Sequence, residues 1–536
     1  MNTGTTLKEA HVRGDGSVQF LEWSTGQLLH RAVQEAGDRA ALIVPATVDG
    51  KPERRWSYRE LQADAQHVAY ALLEDFVPGD RVATWAAGSA NFVALQLGAA
   101  LAGVVLVTLN PANRAAELQY MLNQSQARGL FLDRTFRQMD NVAVLNSIRS
   151  SVPLLETVIT MDEWDGFLAQ ARARELPAVQ HDAPAMILFT SGSTGKPKAA
   201  VLSHEGMVNA SALTAHQLSM RPADVWLNVL PMFHIGGTGT MTLGCLSTMG
   251  TQVLLAEFNV DTMLDALARY RVNMTMAVPT MLIGMLQSPK VSRTDLSALQ
   301  LIVAGGTAVA PDLVRRVKQA MGAEVATLMG QTEASGAMFS TRRGDSEDRV
   351  TLSVGCPLPL TEAKIVSTSD GRTQPIGEIG EMCIRSRRVM REYFGMPEKT
   401  RETLDADGWL HTGDLGYMRP DGYLQVTGRL KEMIIRGGEN IYPREIEDVL
   451  IEHADVAQAA VFGVPDEKWG EQVAAAVIPR PGKTPDFDAL TRFLQERIAR
   501  HKVPKLWRVV DGFPLNASGK IQKFVLQAQF GREADR

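Results

Sequence analysis

Residues 189–198 of the chain are Phe189-Thr190-Ser191-Gly192-Ser193-Thr194-Gly195-Lys196-Pro197-Lys198. They follow the apolar run Ala185-Met186-Ile187-Leu188, which is typical of a buried strand. Glycine lets the backbone approach a ligand closely, so a loop of this composition can surround a polyanion with N–H groups, hydroxyls and ammonium groups. The alternative is an ordinary polar turn, as most Gly/Ser/Thr clusters are. Because strand, loop and lysines coincide, the stretch predicts a phosphate-binding loop.

The stretch differs from the common P-loop. That motif has the pattern Gly-x-x-x-x-Gly-Lys-Ser/Thr, whereas Lys196 is followed by Pro197. The phosphate-binding interpretation therefore needs support from other parts of the chain.

Length and composition limit the possible classes of protein. The chain has 536 residues, too many for one compact core, which predicts two or more domains. Apolar residues make up 45% and charged residues 21%, an ordinary globular composition. The net charge of −5 argues against a nucleic-acid partner.

The cysteines and the first residues of the chain predict a cytoplasmic protein. Cys245, Cys356 and Cys383 lie far apart and form no Cys-x-x-Cys pair, which indicates neither a disulfide framework nor a zinc site. The first residues lack the basic and apolar regions of a signal peptide. A membrane span needs about 18 consecutive apolar residues, and we find no such run, so no transmembrane segment is expected.

The first part of the chain alternates between helix and strand patterns. Residues 56–61 read as a strand end leading into a helix, residues 79–83 as a turn entering a strand, and residues 92–102 as an apolar helix. A buried strand over 104–107 follows. Strand, helix and strand at this spacing predict a parallel α/β sheet.

Two later strand patterns also end in glycine or polar residues. Residues 301–307 end in Gly305-Gly306-Thr307, and residues 325–333 end in Gly330-Gln331-Thr332-Glu333. Ligands of α/β sheets bind at the carboxyl ends of strands, so these ends and the loop after residue 189 predict one shared site. Glu333 would offer Mg²⁺ a hard oxygen ligand beside phosphates; the alternative is a solvated surface glutamate.

A histidine lies within Leu230-Pro231-Met232-Phe233-His234-Ile235-Gly236-Gly237-Thr238-Gly239. If the glycines leave volume unfilled, His234 lines a pocket. The alternative is a histidine at a helix start with tight packing behind it. The residues alone leave both interpretations open.

From about residue 350 the pattern changes to short strands and turns. A predicted hairpin brings Asp414 near Arg429, where Asp414 either accepts hydrogen bonds from a ribose diol or forms a salt bridge with Arg429. We predict a boundary between residues 1–429 and a smaller domain over 430–536. The smaller domain reads as mixed α and β, with helices over 443–449 and 487–499 and strands over 457–464 and 473–478.

Taken together, these segments resemble the adenylate-forming superfamily, which includes acyl-CoA synthetases, firefly luciferase and amino-acid adenylation domains. The resemblance runs from about residue 56 to residue 523, and five motifs occur in the family's order. The motifs are Thr190 to Lys198, Met329-Gly330-Gln331-Thr332-Glu333, Thr412-Gly413-Asp414, Gly428-Arg429-Leu430-Lys431-Glu432 and Ser518-Gly519-Lys520. The resemblance implies a large N-terminal α/β domain of several subdomains and a small, mobile C-terminal α+β domain.

The resemblance also implies the reaction. A carboxylate attacks the α-phosphate of ATP to give an acyl-adenylate, and a thiol, usually of coenzyme A, then displaces AMP. Mg²⁺ would be bound by Glu333, and Lys520, Thr332, Glu333 and His234 are the catalytic candidates. The expected nucleotide-binding residues are Thr190, Ser191, Gly192, Ser193, Thr194, Gly195, Lys196, Lys198, Gly305, Gly306, Met329, Gly330, Gln331, Thr332, Asp414, Arg429 and Lys520.

The small domain of the family rotates between the two half-reactions. The hinge maps to Lys431, and Lys520 would enter the site only during adenylation. Gly437 and Gly438 would form part of the pantetheine tunnel. Trp469 lies where related ligases pack the CoA nucleotide, although a tryptophan there is equally compatible with the core.

The chain departs from the family pattern at two positions. Met329 stands where an aromatic residue usually covers the adenine, and its polarizable thioether can still cover a ring. Ala199 replaces a common glycine after Lys198.

Several functions are compatible with the resemblance. We favour a carboxylate–CoA ligase for a fatty or bulky hydrophobic acid. Ile235, Gly236, Gly237 and Gly239 suggest an apolar pocket with spare volume, and this run has no lysine or arginine for a second carboxylate. In an amino-acid adenylation enzyme, an aspartate would stand at the position that His234 occupies in this chain. An acyl-AMP ligase that loads a carrier protein would carry an insertion near the hinge. The expected partners are an acid, ATP and coenzyme A, and a homodimer is allowed.

Overall fold

The computed structural model describes residues 9–46, 50, 52–190, 196–305, 309–437, 439–515 and 521–534. The helices are α1 (Thr25–Ala36), α2 (Tyr58–Asp75), α3 (Ala90–Ala102), α4 (Ala115–Ser125), α5 (Asn141–Ile148), α6 (Trp164–Ala169), α7 (His204–Gln217), α8 (Gly244–Ser247), α9 (Val260–Arg269), α10 (Pro279–Gln287), α11 (Pro311–Met321), α12 (Glu347–Leu352), α13 (Pro397–Thr403), α14 (Pro443–Leu450), α15 (Phe487–Gln495) and α16 (Lys523–Ala534).

The strands before residue 200 are β1 (His11–Arg13), β2 (Ala40–Val44), β3 (Arg54–Ser57), β4 (Arg81–Trp85), β5 (Val105–Thr108), β6 (Gly129–Leu132), β7 (Thr135–Phe136), β8 (Met139–Asp140), β9 (Thr157–Thr160), β10 (Pro184–Thr190) and β11 (Lys198–Ser203). The later strands are β12 (Val225–Asn228), β13 (Thr251–Leu254), β14 (Met274–Ala277), β15 (Leu301–Gly305), β16 (Glu324–Gln331), β17 (Gly336–Ser340), β18 (Cys356–Pro357), β19 (Glu362–Val366), β20 (Gly380–Arg385), β21 (Glu392–Tyr393), β22 (Trp409–Met418), β23 (Leu424–Arg429), β24 (Ile434–Arg436), β25 (Glu439–Ile441), β26 (Val456–Asp466), β27 (Gly470–Pro479) and β28 (Leu506–Val509).

Three large sheets precede residue 430. The first has seven strands in the order β21-β11-β10-β5-β4-β6-β9, and the second has nine in the order β18-β17-β16-β15-β14-β12-β13-β2-β3. The third is an antiparallel sheet of five strands, β1-β19-β20-β22-β23. β4 pairs in parallel with β5 and β6, as the strand–helix–strand pattern predicted.

The central strands of the seven-stranded sheet are buried on both faces. Side chains alternate between the faces of a strand. Val82 and Leu106 pack in the core that contains α1, α2 and α3, while Ala83 and Val107 pack against α4 and α5. Strands covered on both faces are continuously apolar, which explains why their sequences show no polar alternation.

The nine-stranded sheet is built in the same way. Leu227 and Ile302 face α9, α10 and α11, and Trp226 and Val303 face the opposite core, which includes Met241. Met241 belongs to a buried π-helix at Gly236–Leu243.

The residues after 430 form a separate small sheet. Its order is β25-β24-β27-β26, with β28 parallel to β27. α14 and α15 cover one face and α16 covers the other. A large N-terminal α/β part and a small C-terminal α+β part confirm the predicted fold class.

The predicted helix starts agree closely with the structure, and one predicted helix end does not. Ser203 caps α7, since its hydroxyl accepts a hydrogen bond from the Gly206 N–H at 3.1 Å. The helix expected over 487–499 ends at Gln495. The N–H groups of Arg497 and Ile498 both donate to the Leu494 carbonyl, so the hydrogen-bond ladder no longer advances.

None of the helices in the described ranges combines the length and apolar character needed to cross a bilayer.

Gly355 joins the nine-stranded sheet to the five-stranded one. Its carbonyl accepts a hydrogen bond from the Leu424 N–H at 2.9 Å, and its φ of +96° suits glycine. A Cβ at this position would lie 2.0 Å from the carbonyl carbon of Ser340.

We predict that Gly355→Ala is strongly destabilising, because both the φ angle and the clash with backbone oppose it. Gly344→Ala is the matched control: its φ of +79° is also positive, but a Cβ there would meet nothing within 4 Å. In the control, the free energy of unfolding should fall by only about 1 kcal/mol, which is the cost of placing alanine in this backbone conformation. Thermal unfolding of the two variants measures their loss of stability. Equal losses in Gly355→Ala and Gly344→Ala would contradict the close backbone approach at Gly355.

Candidate active site

The strand ends that the sequence analysis identified are the carboxyl ends of interior strands, and they belong to two different sheets. β10 ends at Thr190 in the seven-stranded sheet, and β15 and β16 end at Gly305 and Gln331 in the nine-stranded sheet. Side-chain contacts connect the two sheets near these ends. The hydroxyl of Thr108, at the end of β5, donates to the Phe233 carbonyl at 2.9 Å.

A chain of hydrogen bonds connects Lys198, Tyr393 and Glu333. The ammonium of Lys198 donates to the Tyr393 hydroxyl at 2.6 Å, and that hydroxyl donates to Glu333 Oε1 at 2.7 Å. Lys198 begins β11 and Tyr393 lies on β21, which pairs with β11. Glu333 lies on the 3₁₀ turn Thr332–Ala334 that follows β16. The structure therefore brings the second lysine of the loop to the predicted metal ligand, through a tyrosine.

Burial controls the protonation of this chain. Burial lowers the pKa of Lys198, and the positive charge of Lys431 lowers it further, whereas Glu333 raises it. Burial and the adjacent Glu333 carboxylate raise the pKa of Tyr393. The Tyr393 hydroxyl therefore keeps its proton at neutral pH. It donates a hydrogen bond to Glu333, and its oxygen accepts a hydrogen bond from Lys198.

A buried arginine, Arg388, forms hydrogen bonds with the backbone next to the turn that carries Thr332 and Glu333. Arg388 is fully buried and donates to the carbonyls of Ala334 and Ala337, and to the Thr361 hydroxyl at 3.0 Å. Burial lowers the pKa of Arg388 to about 10, so the side chain remains charged at neutral pH. These bonds fix the backbone directly after Glu333.

Two buried polar atoms at the strand ends lack hydrogen-bond partners among the described residues. They are the Thr190 hydroxyl and the Gln331 side-chain nitrogen. Buried polar groups are normally satisfied, so unpaired donors suggest a ligand. Phosphate oxygens would satisfy both, which is why the site chemically fits a nucleotide.

The glycines near these ends permit close backbone contacts. A Cβ at Gly330 would lie 2.3 Å from the Gly336 carbonyl oxygen, and one at Gly305 would lie 3.3 Å from the Leu328 carbonyl oxygen. Met329 packs on the core of the five-stranded sheet.

His234 is exposed at the turn that precedes the π-helix. Its Nδ1 accepts a hydrogen bond from the Gly236 N–H at 3.0 Å, so the neutral ring carries its proton on Nε2. The ring is therefore held as a hydrogen-bond donor at an open surface.

The glycines after His234 are closely packed. A Cβ at Gly237 would lie 2.4 Å from the Pro231 carbonyl oxygen, and one at Gly239 would lie 2.8 Å from Ile235 Cδ1. The interpretation in which these glycines leave volume unfilled is wrong; the alternative, tight packing behind the histidine, is what the structure has.

Asp414 and Arg429 lie opposite each other on β22 and β23, as the predicted hairpin required. Arg429 Nε lies 3.1 Å from Asp414 Oδ1, and only 9% of the Asp414 side chain is exposed. The predicted salt bridge with Arg429 is therefore present. It does not by itself decide the ribose interpretation, since a carboxylate can accept several hydrogen bonds.

Trp469 is an exposed aromatic side chain in the turn between β26 and β27 of the small sheet. It is 38% exposed, so it is not a core residue. The guanidinium of Arg436 and the ammonium of Lys468 lie 4.6 and 5.0 Å from the ring centre. Gly437, with a φ of +61°, packs against the ring, where a Cβ would lie 2.8 Å from a ring carbon.

The hinge candidate lies between the two parts of the chain. Lys431 is exposed on the 3₁₀ turn Leu430–Glu432. Lys523, on α16, pairs with Glu432 at 3.0 Å and with Glu447 at 2.7 Å, which fixes the start of α16 beside this turn.

Several predicted site residues lie outside the described ranges. They are Ser191, Gly192, Ser193, Thr194, Gly195, Gly306, Gly438 and Lys520. Lys196 is described, and its ammonium lies 5.7 Å from the Tyr120 ring centre.

Sequence reasoning missed Tyr393 and Arg388. Tyr393 is part of Glu392-Tyr393-Phe394, and Arg388 follows Ser386-Arg387, neither of which forms a recognisable motif. Only the pairing of β21 with β11 brings Tyr393 to Lys198.

Two family models match most of the chain. The model for AMP-binding enzymes matches residues 29–394, and the model for their C-terminal domain matches residues 445–520. The mitochondrial medium-chain acyl-CoA ligase ACSF2 of Mus musculus is 33% identical over 560 residues, covering 97% of this chain and 89% of that protein.

Solved structures agree with these matches. ATP-bound MatB from Rhodopseudomonas palustris has a TM-score of 0.86 and 30% identity, covering 95% of this chain and 99% of that chain. A fatty acyl CoA synthetase of Mycobacterium tuberculosis has a TM-score of 0.78 and 31% identity, with coverage of 95% and 99%. The chain belongs to the AMP-binding enzyme family and is an acid–thiol ligase of its acyl-CoA synthetase branch, which uses ATP and coenzyme A.

Proposed function

We propose that this enzyme activates a hydrophobic monocarboxylic acid as an acyl-adenylate and transfers the acyl group to coenzyme A with release of AMP. The observation that carries the proposal is the chain Lys198–Tyr393–Glu333, which joins a cation and a carboxylate beside the unpaired donors of Thr190 and Gln331. A magnesium-bound polyphosphate needs both kinds of group within reach of each other.

Residues 190–198 would hold the β- and γ-phosphates, and Thr332 would contact the α-phosphate. Met329 would cover the adenine, and Asp414, held by Arg429, would bind the ribose hydroxyls. Gly305 and Gly330 would contact the nucleotide through their backbone groups. Each assignment follows the family resemblance, and the unpaired donors at the strand ends support it.

Glu333 would hold Mg²⁺. A carboxylate is the oxygen ligand this ion prefers, and Tyr393 contacts Glu333 Oε1, so the second oxygen can point to a ligand. The ion would supply charge neutralisation for the phosphates, and the Tyr393 hydrogen bond would fix the orientation of the carboxylate.

Lys520 would place its ammonium between the attacking carboxylate and the α-phosphate. Positioning and charge neutralisation supply most of the catalysis in transfers of this kind. We infer a hinge at Lys431, between domains at 1–429 and 430–536, that moves Lys520 in and out of the site.

Trp469 would stack on the nucleotide of coenzyme A, and Gly437 and Gly438 would border the pantetheine tunnel. The exposed ring has Arg436 and Lys468 within 5.0 Å of its centre, two cations suited to phosphate groups. Exposure of a large aromatic side chain beside cations is the property that a nucleotide platform needs.

The acid would be hydrophobic. Residues 230–243 contain no lysine or arginine, so a second carboxylate would have no cationic partner there. An aspartate that would bind the ammonium of an amino acid is absent as well, because His234 occupies its position. The relative named as a medium-chain acyl-CoA ligase supports a fatty acid of intermediate length.

A panel of acids tests this proposal. We expect CoA-dependent AMP release and acyl-CoA formation with straight-chain monocarboxylic acids, with the highest kcat/KM at intermediate length. Dicarboxylic acids and amino acids should be poor substrates. Activity confined to amino acids, or transfer to a carrier protein with no product on coenzyme A, would contradict the proposal.

Tyr393→Phe tests the hydrogen-bond chain. A hydrogen bond to a charged group contributes about 1.5–3 kcal/mol, so its loss should lower kcat/KM for MgATP by roughly tenfold or more. We expect a weaker effect on the KM of coenzyme A. The measurement is steady-state kinetics with ATP varied at saturating acid and coenzyme A.

Tyr423→Phe is the matched control. Tyr423 is also buried, and its hydroxyl donates to Asp345 at 2.7 Å outside the site. Both variants should unfold at lower temperature, but only Tyr393→Phe should change the MgATP kinetics. Similar kinetic losses in both would show that Tyr393 acts through stability alone.

A further inference from the structure

The segment Thr412-Gly413-Asp414 bulges from the five-stranded sheet. β20 pairs Glu381 with Leu415 and Cys383 with His411. The ladder thus advances from 381 to 383 along β20 while it advances from 415 to 411 along β22. Residues 412–414 therefore have no ladder partner on β20, although Asp414 still pairs with Arg429 on β23. Such bulges commonly redirect a side chain toward a site.

The Glu381 carboxylate holds this bulge with both oxygens. Oε1 accepts a hydrogen bond from the Gly413 N–H at 3.0 Å, and Oε2 lies 2.8 Å from His411 Nδ1. The Glu381 side chain is only 12% exposed. Gly413 has a φ of +71°, a conformation that glycine adopts without strain.

Thr412 fixes the other side of the bulge. Its hydroxyl donates to the Met382 carbonyl at 2.6 Å and accepts a hydrogen bond from the Asp414 N–H at 3.1 Å. The backbone before Asp414 is therefore tied to β20 at two successive residues, Glu381 and Met382. These bonds restrict the backbone conformation at Asp414.

His411 acts as the donor that completes the network. The hydrogen bond from His411 to Glu381 raises the pKa of His411, and the Asp405 carboxylate, 3.6 Å from Nε2, acts in the same direction. The contact between His411 Nδ1 and Glu381 Oε2, at 2.8 Å, holds the orientation of the carboxylate.

The same residues include a thiol, so a metal centre needs consideration. Ligand atoms of Glu381, Cys383 and His411 lie within 4.8 Å of one another. Burial raises the pKa of Cys383, which keeps the thiol protonated and a poor ligand. Because both Glu381 oxygens already have donors, the cluster is better described as a hydrogen-bonded network.

We propose that Glu381 is a positioning residue for the nucleotide: it does not touch ATP, but it fixes the bulge that aims Asp414 at the ribose. The inference rests on the proposed role of Asp414 in ribose binding. Its effect is expected on ATP and not on the acid or on coenzyme A, because Glu381 bonds to His411 and Gly413, directly before the proposed ribose ligand.

A double-mutant cycle tests the inference. Glu381→Ala and Asp414→Ala are made singly and together, with Glu378→Ala, an exposed residue before the same strand, as the control. Glu381→Ala and Asp414→Ala should each raise the KM for ATP by about tenfold, the change expected when a hydrogen bond to a charged group is lost. The KM values for acid and coenzyme A should stay within about twofold, since residues outside a coupled network act independently.

The double variant carries the decisive result. If Glu381 acts through Asp414, the double variant should resemble Asp414→Ala alone, because coupled residues are not additive. Additive effects, or an unchanged KM for ATP in Glu381→Ala, would overturn the inference and leave the ribose assignment intact. An unchanged KM in Asp414→Ala would overturn the ribose assignment and the inference with it.

Glu381→Gln serves if the alanine variant fails to fold. The amide oxygen still accepts from the Gly413 N–H, but the charge that pairs with His411 is lost. We expect a smaller rise in the KM for ATP and faster hydrogen exchange at the Gly413 amide. Wild-type exchange at that amide together with a wild-type KM for ATP would contradict the positioning role.

Discussion

The Tyr393 hydroxyl lies between a lysine and a glutamate that would otherwise attract each other directly. A direct salt bridge would engage the Lys198 ammonium and the Glu333 carboxylate with each other, in competition with the phosphates and Mg²⁺ that we assign to them. With the hydroxyl between them, each charge is oriented by a single hydrogen bond. The remaining donors of the ammonium and the second oxygen of the carboxylate can then serve a ligand. The proposed site depends on this separation of the Lys198 ammonium from the Glu333 carboxylate by the Tyr393 hydroxyl.

The spacing is set by a short segment that contacts both sheets. Tyr393 pairs with Ala200 on β11, so its distance from Lys198 follows from strand register. Arg388, five residues earlier in the same segment, holds the carbonyls after Glu333. The Met390 N–H donates to the Glu333 carbonyl at 2.7 Å. Residues 388–393 therefore position a cation from one sheet and a carboxylate from the other in a single geometry.

The sequence predicted the local elements and the chemistry of the site better than its contacts. Apolar runs and glycine-rich ends identified β10, β15 and β16, because buried parallel strands have a simple composition. The order of the motifs identified the family. Tyr393 could not be found, since it meets Lys198 and Glu333 only through pairing between distant segments. The glycines after His234 allowed two interpretations, because close packing and empty volume both require a missing side chain, and only the structure shows the close packing.

The central claim is that the acid is adenylated before coenzyme A takes part. Exchange of labelled pyrophosphate into ATP, measured with the preferred acid and without coenzyme A, tests it most directly. The account predicts acid-dependent exchange in the wild-type enzyme and a severe loss of exchange in Lys520→Ala. Exchange that requires coenzyme A, or formation of ADP and phosphate in place of AMP and pyrophosphate, would contradict it.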